Sequence, residues 1–173
     1  MLSDFIDEYA KYRIIGDKAL KQVPDRALNQ VVGTDNNSIA ILVRHISGNL
    51  ISRFTDFLTT DGEKPWRNRD AEFADVEYDR EAVQKMWTDG WELLDSELAK
   101  LSDEDLGKTI YIRGHAMTVH AALVRSLAHT SHHIGQIVLL ARIHSESPWQ
   151  WISIPKGGSA AYNKNPTMEK KPE

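Results

Sequence analysis

Along most of the chain, apolar positions recur at spacings of three and four, the period of amphipathic helices rather than of strands. The first such run goes from Leu2 to about Val23, with Phe5, Tyr9, Tyr12 and Ile15 on one face; Ser3 or Asp4 can cap it and Pro24 ends it. A polar stretch with Gly33 then leads to an N-cap at Asn37 or Ser38. The second helix runs from about Ser38 to Leu58 on a stripe of Ile39, Leu42, Val43, Ile46, Leu50 and Phe57. His45 lies at one edge of this stripe, with Asn49 and Asp56 near the same edge, and Arg53 falls almost on its centre line. A charge there is costly unless it is paired or opens into a wet pocket. The long arginine side chain can also reach out to the surface from such a position.

The segment from Thr59 to Asp79 breaks the pattern and reads as a loop, longer than the 2–8 residues common between bundle helices. It carries Trp66, Arg67, Arg69 and Glu72, and a long loop of this composition is more often functional than a plain connection. A third helix follows from about Asp79 to Leu101, with Val83, Met86, Trp87, Trp91, Leu94 and Leu98 at helical spacing. Alternation around Thr109–Arg113, followed by Gly114, predicts a short extended piece or hairpin. Thr118 then caps a last helix that reaches about Ile143 and is apolar around nearly its whole circumference. One reading is that one side packs inside the protein and another against a second subunit, with Gly135 allowing close approach of a neighbouring backbone. Beyond His144, the aromatic residues Trp149, Trp151 and Tyr162 predict an ordered tail docked on the helices up to about Asn163. Residues 164–173 are polar and expected to be disordered. The pattern as a whole describes an all-α fold in a single domain over residues 1–163, a four-helix bundle with a long loop between helices two and three.

Composition narrows the function. The 173 residues carry a net charge of −4 with acids and bases interspersed, which argues against a nucleic-acid binder and its concentrated basic face. The sequence has no cysteine, so any metal is held by histidine and oxygen ligands and any thiol chemistry uses a thiol brought from outside. The acidic start, Met1 to Glu8, lacks the apolar core of a signal peptide, and no apolar run approaches the ~20 residues that cross a bilayer. No membrane association is expected, and a cytoplasmic location is the default expectation.

The chemistry concentrates in His129-Thr130-Ser131-His132-His133 on the last helix. His129 and His133 are separated by about 400° of helical turn, so they stand one above the other on the same face, where two imidazoles can grip one ion. His132 points roughly 60° to one side. With His45 on the second helix, a three-histidine site inside the bundle is conceivable, and neutral imidazoles suit zinc, nickel, iron or cobalt. Three protein ligands leave coordination positions open, as catalytic sites do. Spacing alone leaves open the alternative of a solvated or hydrogen-bonded histidine pair, and His45 as third ligand depends on how the helices pair.

These residues resemble the DinB-like superfamily. The likeness rests on His45 and on His129-x-x-His132-His133-x-Gly135-Gln136-Ile137, and extends through Arg44–Asn49, Arg53–Leu58, Asp61–Arg67 and Ser153–Gly157. The resemblance implies an up-up-down-down four-helix bundle, often a homodimer, with zinc or nickel held by His45, His129 and His133 and with His132 not a ligand. Relatives in that superfamily include bacillithiol transferases and mycothiol-dependent maleylpyruvate isomerase, which implies a low-molecular-weight thiol cosubstrate and a small electrophilic substrate. On that reading Arg53 or Arg67 anchors a substrate carboxylate, Trp66 lies beside the substrate, and Asn49 and Gln136 orient a ligand histidine or a bound water. Two alternatives stand beside the transferase: a metal-dependent hydrolase with Asp56 or Glu72 as general base, and a non-catalytic dimeric stress-response binding module.

Overall fold

Three of the four long helices begin where a short polar side chain precedes an apolar run; the first starts at Leu2 after Met1 with no side-chain cap, so Ser3 and Asp4, the expected caps, lie inside it. The computed structural model describes residues 1–167. Its helices are α1 (Leu2–Leu20), α2 (Ile39–Phe54), the single turn α3 (Arg69–Glu72), α4 (Arg80–Leu98), α5 (Val119–His144) and the single turn α6 (Ser159–Tyr162). Three starts are capped by side chains: Ser38 Oγ accepts from the Ile41 N–H at 3.2 Å, Asp79 Oδ1 from Ala82 at 2.8 Å, and Thr118 Oγ1 from Ala121 at 3.1 Å. The expected alternation becomes a two-stranded antiparallel hairpin, β1 (Thr109–Ile112) and β2 (His115–Thr118), with Ile112 opposite His115. Its turn holds Arg113 at φ 56° and Gly114 at φ 73°, the two left-handed residues that a tight hairpin turn requires.

The four long helices share one core. Tyr9 from α1, Leu42, Leu50 and Phe54 from α2, Trp87, Trp91 and Leu94 from α4, and Leu123 from α5 are all buried to within 1%. Burial of residues this large supplies most of the driving force for folding. The tail docks through Trp149 and Ile152, which pack against the core, and Trp151 lies beneath the Arg142 guanidinium at 4.5 Å. Docking is expected to reach about Asn163, but α6 buries no residue. Lys164 donates to the Ala161 carbonyl at 3.3 Å and Thr167 N to the Tyr162 hydroxyl at 3.1 Å, so residues 164–167 turn back onto α6. The rest of the tail expected to be disordered, 168–173, lies outside the described residues.

Hydrogen bonds between the ends of the helices fix their directions. At one end, Arg80 at the start of α4 donates to the backbone oxygens of Leu20 at 3.0 Å and Val23 at 2.5 Å, just past α1. Asn29 exchanges two bonds with the Tyr78 backbone, at 2.8 and 3.0 Å, and Ala40 N in α2 donates to Leu28 O at 2.9 Å. Gln150, shortly after α5, donates to Gln22 at 2.8 Å at this same end. At the opposite end Leu2 N meets the Asp103 carboxylate at 2.6 Å, and Val119 N donates to Lys108 O at 2.9 Å. Thus α1 and α5 run one way and α2 and α4 the other. The order is up, down, down, up, which corrects the expected up-up-down-down. The chain turns round at one end after α1 and at the other after α4, so only segment 55–79 traverses the molecule, joining two parallel helices. That crossover is the long loop, and it passes beside the histidines.

On α5, Val124, Leu139 and Ile143 are exposed, and no described atom lies within 4 Å of where a Cβ on Gly135 would stand. Among the described residues no helix is long and apolar enough to cross a membrane.

Candidate metal centre

The antiparallel pairing of α2 with α5 brings His45 to His129 and His133. Each offers a ring nitrogen, and the three lie within 4.8 Å of one another. His45 Nε2 and His129 Nε2 are 3.1 Å apart. Two nitrogens bound to one cation at about 2.0–2.1 Å stand roughly 3–3.5 Å apart, so the spacing fits a single divalent ion. His45 is buried and the other two are half-buried, which leaves one side open.

Two of the rings are oriented by neighbours. Glu72 Oε2 lies 2.8 Å from His45 Nδ1, and Gln136 Oε1 lies 2.7 Å from His133 Nδ1. A proton on each Nδ1 leaves the Nε2 lone pair free for a cation, the arrangement that carboxylates and carbonyls impose on ligand histidines. Nδ1 of His129 is buried without a partner. Burial, then the neighbouring His133 and His45, then Arg67 and Arg53, push the His129 imidazole down to about 3. Burial is also the largest cause pushing His133 down, against the Gln136 hydrogen bond. These two rings are therefore neutral at neutral pH, the form that binds metal.

Glu72 arrives from the crossover. Its side chain is 8% exposed and takes two bonds from Arg67, Nε to Oε1 at 2.8 Å and Nη2 to Oε2 at 2.9 Å. Burial alone raises its carboxyl, but hydrogen bonds from His45 and Arg67 outweigh that and hold it below the usual value. A Cβ on Gly48 would come within 2.5 Å of Glu72 Oε1, so the absence of a side chain there lets the carboxylate lie against α2.

Beside His45 and His129 opens a cavity of about 180 Å³. Asn49, Phe54, Phe57, Ile112 and Ala122 form part of its wall, and Arg53, Arg67, Arg69, Arg113 and Arg125 project onto it. Arg53 leaves the apolar stripe of α2 for this space. It donates to Glu63 Oε2 at 2.9 Å and to the Gly62 carbonyl. The same Glu63 oxygen accepts from Arg113 Nε at 2.8 Å. Asp61 ties crossover to hairpin, its carboxylate accepting from the backbone N–H groups of Glu63 at 2.7 Å, Arg113 at 2.8 Å and Gly114 at 2.7 Å.

The structure brings His45, His129, His133, Asn49, Arg53, Arg67 and Gln136 to one place. Trp66 stands apart: it is 58% exposed and does not line the cavity. Asp56 and His132 are exposed, and His120 packs edge-on against Phe5. Sequence reasoning missed Glu72 as the partner of His45, and missed Arg113 and Arg125 in the cavity wall. Signals for two of them were present. Gly48 sits inside a helix, where glycine marks a close approach, and Arg125 precedes His129 by one turn on the same face.

No curated protein and no solved structure matches the chain. Its residues 1–158 match the family described as "Protein of unknown function (DUF1572)", and the chain belongs to that family.

Proposed function

We propose that this protein is a metal-dependent enzyme that transfers a low-molecular-weight thiol onto a small electrophile, with zinc or nickel held by His45, His129 and His133. In this reading the four long helices form a four-helix bundle of the DinB-like kind, and the exposed apolar residues of α5 belong to a homodimer surface. The observation that carries it is the cavity wall, which borders two of the three histidines and includes no acid among its described residues.

A hydrolase working through a bound water gains from an acid–base side chain within reach of that water and of the leaving group. Glu72 has both oxygens engaged by His45 and Arg67, and Asp56 is exposed and away from the cavity. A thiolate attacks without a base at that step. A divalent cation supplies the means of holding a thiol sulfur deprotonated near neutral pH. The chain supplies the rest. Glu72 and Gln136 keep two ligand rings in the metal-binding tautomer. Arg53 and Arg67 hold an anionic group of a substrate, Asn49 offers a neutral hydrogen-bonding group on the wall, and Phe54, Phe57 and Ile112 receive the apolar part. With an alkyl halide a sulfur–carbon bond forms as halide departs with its electron pair. With an activated alkene the sulfur–carbon bond forms as the π pair moves to the neighbouring carbon, which takes up the proton that the thiol released.

The test is purification from metal-replete cells, metal analysis, and an assay of thiol consumption against a panel of alkyl halides and activated alkenes. Turnover that requires both metal and thiol, and is lost in His129→Ala, supports the transferase. Ester or amide hydrolysis without thiol replaces it with the hydrolase. Stoichiometric metal without turnover of any substrate favours a binding module.

A further inference from the structure

The cavity is far more basic than the chain that builds it. The protein carries a net charge of −4, yet five guanidiniums meet in one space of about 180 Å³. Two carboxylates answer them. Glu63 is shared by Arg53 and Arg113, and Glu72 is taken by Arg67 and His45. Five cations against two anions leave an excess of three.

Two places in the cavity have binding capacity left for an anion, an unpaired donor on a guanidinium already neutralised by Glu72 and two guanidiniums without a close carboxylate. Deep in the cavity, the Arg67 side chain is 2% exposed, and its Nη1 is buried with no hydrogen-bond partner although Nε and Nη2 are both used. A buried guanidinium donor left unpaired is costly, and an oxyanion is its natural acceptor. At the mouth, Arg69 lies over the Phe73 ring and approaches an acid only at 3.9 Å, the fully exposed Asp70. Arg125, exposed on α5, forms no ion pair among the described residues. Burial pushes Arg53 below its ordinary value, and Arg67 and Arg113 add to this against the opposing pull of Glu63. An arriving anion relieves this mutual repulsion.

We infer that the cavity receives a small molecule bearing two oxyanion groups, one seated on Nη1 of Arg67 and the other on Arg69 and Arg125 at the mouth. This ligand class rests on the reading of the cavity as the substrate site beside the histidines. The two groups can be carboxylates or a carboxylate with a phosphate, since guanidinium binds both in the same forked geometry. The apolar wall of Phe54, Phe57 and Ile112 lies alongside for the carbon skeleton between them.

The test is calorimetric titration of the full-length protein with succinate, 2-phosphoglycolate and acetate, with metal bound and again after chelation. Succinate or 2-phosphoglycolate is expected to bind one per chain and at least about tenfold more tightly than acetate, since a second charge-assisted contact adds that much. The preferred probe names the second group. Arg69→Gln and Arg125→Gln are each expected to weaken the two-anion ligand by about tenfold and leave acetate unchanged. Both side chains are exposed, so the variants keep the fold, and unchanged metal content confirms an intact histidine site. Equal affinity for acetate and the two-anion probes, or affinity indifferent to both substitutions, overturns the inference. Because the chelated arm needs no metal, a protein without stoichiometric metal that still binds succinate through Arg69 and Arg125 refutes the proposed enzyme and leaves this inference standing.

Discussion

Glu72 Oε2 stands 2.8 Å from Nδ1 of His45, which joins the crossover to the metal centre through one buried hydrogen bond. The carboxylate holds the imidazole in the tautomer whose Nε2 faces His129, and it neutralises the buried Arg67 guanidinium. Glu72→Gln keeps the shape and removes the charge, while its amide N–H groups face donors on Arg67. Metal affinity is expected to fall about 10–100-fold, the usual effect of losing a partner behind a ligand histidine. Urea unfolding of the metal-free variant is expected to show a loss of roughly 3–5 kcal/mol, because a buried charge is left unpaired. Chelator competition measures the first effect, and an unchanged affinity would show that His45 is held without Glu72.

Gly48 sets how near Glu72 can come. In most helix interiors Gly→Ala stabilises by about 0.5–1 kcal/mol. Here the new Cβ meets Glu72 Oε1 at 2.5 Å, and the carboxylate belongs to a network that cannot move without loosening His45 and Arg67. Gly48→Ala is therefore expected to lower both melting temperature and metal affinity. In a Glu72→Ala background the same substitution regains the ordinary helix-propensity gain and raises the melting temperature. A Gly48→Ala effect of the same sign in both backgrounds would separate Gly48 from the carboxylate.

The elements and the site differed in how far they could be read from sequence. Thr118 caps its helix as expected, Ser38 is the one of the two expected residues that caps, and Asp79, expected only as the start of its helix, caps it as well, because capping is a local preference. The spacing of His129 and His133 placed them on one face, since a helix converts sequence distance directly into angle. Helix direction was a different matter. It depends on which connection crosses the molecule, and hydrophobic period carries no information about that path, so the expected up-up-down-down order gave way to up, down, down, up. The same path decides that Glu72 turns inward while Trp66, on the same segment, stays 58% exposed. Arg113 reaches the cavity through a hairpin turn held by Asp61, a contact between loops far apart in sequence.

That contact carries its own prediction. Asp61 accepts three backbone N–H bonds, and these hold its carboxyl below its ordinary value, the Glu63 N–H first. They also secure Arg113 and Gly114 in left-handed conformations. Asp61→Ala is expected to cost roughly 1–3 kcal/mol, the range for hydrogen bonds to a charged group. Hydrogen exchange at the Arg113 and Gly114 amides should rise well above the change at α4. Uniform exchange across the molecule would mean that the hairpin does not depend on this anchor.

Acid sensitivity follows from the same histidines. His129 stands at about 3 in the folded protein against 6.5 for the free side chain, with burial as the main cause. Between those values the unfolded chain binds the proton and the folded chain does not, so stability rises with pH across this window. The contribution is fully present above about pH 6.5 and is lost as pH falls toward 3. His133, pushed down chiefly by burial, acts in the same direction, and Glu72, also held low, adds a loss in more acid solution. The chelated protein is therefore expected to melt at progressively lower temperature from pH 7 to 4.5. His129→Asn removes the titrating ring, so its melting temperature should decline less steeply over that range. Parallel curves for wild type and variant would show that His129 titrates normally in the folded protein and that its ring is not kept neutral by its surroundings.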